Sequence, residues 1–143
     1  GWASTPGDLV VFLPETGVAF GGGMVSATHV PRIRDCDFEG WQAALARMKA
    51  LPIRALVPGF GPVSDATAID ATARYLAALD ARVRALYSQT SSLVDALERS
   101  DLDAYMHWAG YDGRHRQNVQ HRYLQLEIAD LGGDPRSTAL PER

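Results

Sequence analysis

One cysteine, Cys36, and one lysine, Lys49, stand among 143 residues. A lone thiol excludes an internal disulfide and any cysteine-based zinc knuckle. No stretch reaches the roughly 18 consecutive apolar residues of a membrane-crossing helix, so no membrane span is expected. Basic charge is not in excess either: 14 Lys and Arg against 17 Asp and Glu give a formal net charge of −3. The arginines are scattered, whereas a nucleic-acid surface gathers them on one face, so no nucleic-acid partner is expected. The local exception, Arg114-His115-Arg116 with His121-Arg122, reads as the solvated start of a helix in preference to an anion site. The opening Gly1-Trp2-Ala3-Ser4 has no initiator Met, basic leader or apolar leader, so any export signal is expected upstream and the compartment stays unknown.

What is present is the balance of an ordinary folded domain, 46% hydrophobic and 22% charged, enough for one core. Asp8-Leu-Val-Val-Phe-Leu13 is an apolar run rich in β-branched residues between Pro6-Gly7 and Pro14, and it reads as a buried strand. Glu15-Thr16-Gly17 turns the chain into a second strand, Val18-Ala19-Phe20, which makes a hairpin. Asp37 caps a helix with Phe38, Trp41, Leu45 and Met48 on one face, ended by Pro52. Arg54 to Val57 is a short strand running into the tight loop Pro58-Gly59-Phe60-Gly61-Pro62. Ser64 then caps a long helix whose seam is Ile69, Leu76, Leu79, Val83 and Leu86. Ser92 with Asp95, and Ser100 with Asp103, have capping-box spacing and mark two short helices around Leu93–Leu97 and Leu102–Trp108. After a loop from Gly110 to Gly113, a last helix runs from Arg114 to about Asp130 with Val119, Tyr123 and Leu126 inward. The order is α+β.

Most chemical motifs fail on spacing. Gly21 to Gly23 lacks the Lys-Ser/Thr of a phosphate loop and the helix-opening pattern of a dinucleotide fingerprint, so it reads as a flexible strand end. His115 and His121, six apart, fall on different helix faces, and His29 and His107 stand alone. Ser4 or Ser26 with His29 lacks a nucleophile elbow. Asp101-x-Asp103 lacks the glycine and terminal glutamate of a calcium loop. Trp41, Trp108, Tyr105 and Tyr123 read as core.

Three separated segments carry a resemblance. Ser4-Thr5-Pro6-Gly7-Asp8 before a strand, Phe20-Gly21-Gly22-Gly23 after a hairpin, and Val57-Pro58-Gly59-Phe60-Gly61-Pro62-Val63 before a long helix resemble the second half of the metallo-β-lactamase fold. Tyr111, His115-x-x-Asn118-Val119 and Tyr123-Leu124-Gln125-Leu126-Glu127 are similar to the extension of its bacterial quinoprotein-relay or sulfur-oxidation zinc metallohydrolases. The resemblance implies half of an αβ/βα sandwich over residues 1–90, a helical extension over 91–130 and a flexible tail over 131–143. It also implies where a zinc site would lie. The family's second half brings His in H-T-P-G, Asp in F-x-G-D and His in P-G-H-G; here those positions hold Ser4, Gly23 and Phe60, and no H-x-H-x-D-H motif precedes them.

Ser4 offers a neutral hydroxyl, and Gly23 and Phe60 offer no ligand atom, so no metal and no catalytic residue are expected of this chain. The expectation is a degenerate, non-catalytic module with a vestigial cleft of Ser4, Asp8, Gly23, His29 and Phe60, acting in binding or assembly. The alternative is a zinc-dependent hydrolase completed by an N-terminal half or another chain. A third reading is a small-molecule pocket that reuses the cleft, with Phe60 making it apolar. A half-sandwich exposes one sheet face, with some of Val10, Phe12, Val18 and Phe20 on it. The expected partner is a second copy or a separate N-terminal half-domain, preceding this segment or supplied as another chain.

Overall fold

A computed structural model describes residues 2–89 and 92–137. The elements run β1 (Val11–Leu13), β2 (Val18–Ser26), α1 (Phe38–Lys49), β3 (Ala55–Phe60), α2 (Thr67–Ser88), α3 (Leu93–Arg99) and α4 (Arg116–Asp130). Short 3-10 turns lie at Asp103–Tyr105 and Pro135–Ser137, and a wide π-type turn, Tyr111–His115, leads into α4. The expected domain boundary at 90/91 falls outside the described residues, as do 138–143 of the expected tail.

The three strands form one sheet in the order β1-β2-β3, with β1 antiparallel and β3 parallel to β2. The register sets Val11 beside Phe20 and Val57, Leu13 beside Val18 and Ala55, and Phe12 beside Ala19 and Leu56. Side chains alternate across a pleat, so these rows lie on opposite faces. The Phe12 row faces α1 and α2, where Ala19 and Leu56 are fully buried. The Val11 and Leu13 rows face away, and Val11, Leu13 and Phe20 are 52%, 44% and 43% exposed.

Of the four residues expected to contribute to the open face, Val18 and Phe20 lie on it, while Val10 and Phe12 turn to the helix side. There they line a groove with Met24, Ala44, Met48 and Leu51. The expected buried strand is corrected. β1 is an edge strand of the sheet, with Leu9 81% exposed beside it.

The helix side holds the core. α1 buries Phe38, Trp41, Leu45 and Met48 as its spacing predicts, and Trp41 Nε1 donates to the Met24 carbonyl at 3.0 Å. Asp37 caps it by accepting from Gly40 N at 3.0 Å. α2 buries the expected seam Ile69, Leu76, Leu79, Val83 and Leu86. Its start is corrected, however. Ser64 does not cap it but forms an isolated bridge with Leu56, each amide donating to the other's carbonyl at 2.8 Å, and Asp65 Oδ1 accepts from Thr67 N instead.

Two glycines let β3 close on β2. A Cβ on Gly59 would stand 2.4 Å from the Gly22 carbonyl oxygen, and one on Gly61 2.0 Å from that of Ala27. Gly61 also has φ +96°, a region other residues rarely enter. The glycine triplet, expected at a strand end, instead lies within β2, where Gly22 at φ +52° accompanies a register shift, as a bulge does.

The Ser92–Asp95 capping box is present and opens α3. The Ser100–Asp103 box is not: Ser100 Oγ points back to the Leu97 carbonyl at 3.5 Å, and a single 3-10 turn stands where a second short helix is expected.

Candidate functional site

The cleft residues are placed by the loop before β1, the middle of β2 and the end of β3. Ser4, buried, donates from Oγ to Asp8 Oδ1 at 2.8 Å, while Asp8 Oδ2 accepts from Thr5 N at 2.6 Å. This ties Ser4-Thr-Pro-Gly-Asp8 into a closed turn with the Asp8 carboxylate as its hub. Gly23 faces it: a Cβ there would lie 3.4 Å from Ser4 Oγ. Ser4, Asp8 and Gly23 therefore converge.

Phe60 sits at the end of β3 opposite Ser26, its carbonyl accepting from Ala27 N at 2.8 Å and its ring 44% exposed. His29 belongs to a different set of contacts. Its Nδ1 donates to the Ala27 carbonyl at 3.1 Å, and its backbone bridges to Ala109, ahead of α4.

These residues do not fit a zinc ion. Where Ser4, Asp8 and Gly23 meet, the side chains supply one neutral hydroxyl and the single carboxylate it donates to, and nothing at all from Gly23, short of the three protein ligands a zinc site needs. Phe60 supplies carbon. Among the described residues, no three His, Cys, Asp or Glu side chains gather as a metal-binding group.

One buried polar arrangement is missed by sequence spacing. Tyr75 of α2, His115, and Asn118 of α4 are all buried and joined. His115 Nε2 lies 3.0 Å from the Ser100 carbonyl, which can only accept, so Nε2 carries the proton and Nδ1 accepts from the Tyr75 hydroxyl at 3.1 Å. Asn118 Nδ2 donates to Tyr75 Oη at 3.0 Å and to the Pro31 carbonyl at 2.8 Å, and its Oδ1 accepts from Ile33 N at 3.3 Å. Burial holds the His115 imidazole below its usual pKa and the Tyr75 phenol above its own. Tyr111 stacks on His115 at 4.5 Å, and Tyr105 and Trp108 pack on Tyr75 at 5.2 and 5.7 Å. The buried side-chain polar atoms of this group all have partners, and such a satisfied network rigidifies the packing of α2 against α4.

The expected solvated cluster is corrected here: His115 and Arg122 are interior. Arg122 Nε donates to Asp80 Oδ1 at 2.7 Å, its NH1 to Gln125 Oε1 at 3.1 Å, and its guanidinium carbon lies 4.4 Å over the Phe38 ring. Cys36 is buried nearby, and desolvation pushes its thiol up to about 12. No helix is long and apolar enough to cross a membrane among the described residues.

No family model matches the chain, and no curated protein matches it. Among solved structures, the neighbours are metallo-β-lactamases, and each match covers about half of this chain. A metallo-β-lactamase from Pontibacter korlensis is 30% identical over 53% of this chain and 38% of its own, with a TM-score of 0.49. VMB-1 is 25% identical over 53% of this chain and 37% of its own, also with a TM-score of 0.49. The chain thus spans under two fifths of the length of either. The described residues themselves hold a mixed three-stranded sheet and four α-helices.

Proposed function

We propose that this chain is a non-catalytic assembly module, one half of a metallo-β-lactamase-type sandwich whose open sheet face closes on a second sheet. The observation that carries the reading is the exposed apolar face itself, with Val11, Leu13 and Phe20 side by side and Val18 and Val57 half-buried between them. Contiguous apolar surface of this kind marks an interaction site. Ser4, Gly23 and Phe60 support the non-catalytic part, because a hydroxyl, a hydrogen and a phenyl ring neither hold a metal nor lower the pKa of a bound water.

Light scattering on the purified chain, with metal analysis by plasma emission, tests both parts. The expected result is metal-free protein that associates, and whose mass falls in a Phe20→Lys variant. A well-behaved monomer overturns the assembly reading. Stoichiometric zinc with hydrolysis of an ester, thioester or lactam overturns the non-catalytic one and restores the zinc hydrolase completed by a further segment.

A further inference from the structure

On the helix side of the sheet, the groove between β1 and α1 has a volume of about 320 Å³, in the roughly 300–1,000 Å³ class of small-molecule sites. Met24 and Met48, both buried, form its floor. Val10 and Phe12 line it from the β1 side and Ala44 and Leu51 from the α1 side, all four half-buried. Thioethers adapt their shape to whatever packs on them. At helical rise, Ala44 to Leu51 covers about 10 Å, the span of a medium-chain alkyl group.

One cation stands in this apolar lining. Arg47 lies in the last turn of α1 and borders the groove. The residues three and four positions from it are Ala43, Ala44, Ala50 and Leu51, so its own helix offers it no carboxylate. No other acid among the described residues pairs with it. Lys49, in the same turn, is by contrast bound to Asp70 at 2.7 Å. The acid that borders the groove, Asp8, belongs to the opposite end. Its segment is tied to the start of α1, where Asp37 N donates to the Ala3 carbonyl at 2.9 Å, and its oxygens accept from Ser4 and Thr5.

The geometry points to a binding site for a medium-chain monocarboxylate, its alkyl chain along Met24 and Met48 and its head on the Arg47 guanidinium. A lone guanidinium matches a single planar carboxylate, which it holds through two parallel N–H···O bonds. A phosphate dianion calls for a second cation, and no other borders the groove. Asp8 repels the head from the far end and so sets the ligand's direction. The site lies on the face of the sheet opposite Val11, Leu13 and Phe20, and it stands or falls independently of the assembly reading.

Methyl-labelled methionine NMR tests it on the intact chain, which has three methionines. Met106, 54% exposed and outside the groove, is the internal control. Titration with hexanoate, octanoate and decanoate should move the Met24 and Met48 methyls saturably and leave Met106 in place, with Kd falling about fourfold per added methylene. Arg47→Gln, at an exposed position, should weaken decanoate by about tenfold or more and leave decanol unchanged. No saturable shift, or shifts at Met106 alone, overturns the site. Decanoate binding that Arg47→Gln leaves intact, or decanol binding as tight as decanoate, overturns the carboxylate assignment. Met24 and Met48 shifts that change on diluting the protein without carboxylate give the groove to a second copy instead.

Discussion

The Tyr75 hydroxyl and His115 Nδ1 lie 3.1 Å apart in the interior, and the Ser100 carbonyl on the far side of the imidazole decides which of them donates. Each partner is held in one protonation state. Removing the hydroxyl with Tyr75→Phe leaves the Nδ1 lone pair buried without a donor and costs Asn118 one of its two acceptors. A loss of about 1–3 kcal/mol is expected in denaturant unfolding.

The same pair fixes a pH dependence. His115 has its pKa lowered by burial from 6.5. Below that value the unfolded chain takes up a proton that the folded chain refuses, so stability falls with pH from about 6.5 downward until the folded imidazole itself titrates. Thermal unfolding of the wild type should drop between pH 7 and 5, and His115→Gln should flatten part of that slope. His121, half-buried and shifted the same way, accounts for some of the remainder.

Asp80 receives two arginines of different standing. Arg122 is 7% exposed and Arg84 53% exposed at the side chain. Arg84→Ala should cost under about 1 kcal/mol, as exposed pairs do. Asp80→Ala strips the buried guanidinium of its carboxylate partner and should cost about 3–5 kcal/mol. A double-mutant cycle on Asp80 and Arg122 measures the difference.

Two glycine substitutions should separate cleanly. Gly61→Ala drives a Cβ to 2.0 Å from the Ala27 carbonyl oxygen at φ +96°, and expression of folded protein should fail or unfolding should shift by more than about 3 kcal/mol. Gly7→Ala meets nothing within 4 Å and should be neutral within about 0.5 kcal/mol.

Cys36 should resist alkylation. Its thiol is buried with a pKa near 12, so the reactive thiolate is scarce. Iodoacetamide at pH 8 should modify the native chain at least about 100-fold more slowly than the unfolded chain, read by mass spectrometry. Rapid native labelling would contradict the described burial.

Where periodicity governs, the sequence is transparent: the faces of α1 and α2 follow from residues three, four and seven apart, and the Ser92–Asp95 box is local chemistry. Ser64 misleads because its backbone bonds to Leu56, a contact eight residues back that no helix rule sees. Val10 and Phe12 mislead because an all-apolar strand does not declare its face; only the register with Ala19 does. In the cleft, the loops bring Ser4, Asp8 and Gly23 together, while His29 is tied to Ala109. The charged look of Arg114 to Arg116 and of Arg122 hides the interior roles of His115 and Arg122, while Arg116 does stay exposed. Residues 40 and more positions away, Tyr75 and Asp80, supply the partners.

The join at Asn118 bears on how such a chain could be cut or recombined. Ile33 N, the Pro31 carbonyl and the Tyr75 phenol all find their partner on one amide of α4, and Val30 N donates to Ala109 at 3.0 Å. A version trimmed to the sheet, α1 and α2 would leave all four of these groups needing water inside what had been dry packing. Removing α4 and the Ala109 turn should therefore destabilise residues 30–33 and position 75 along with the segment that is lost.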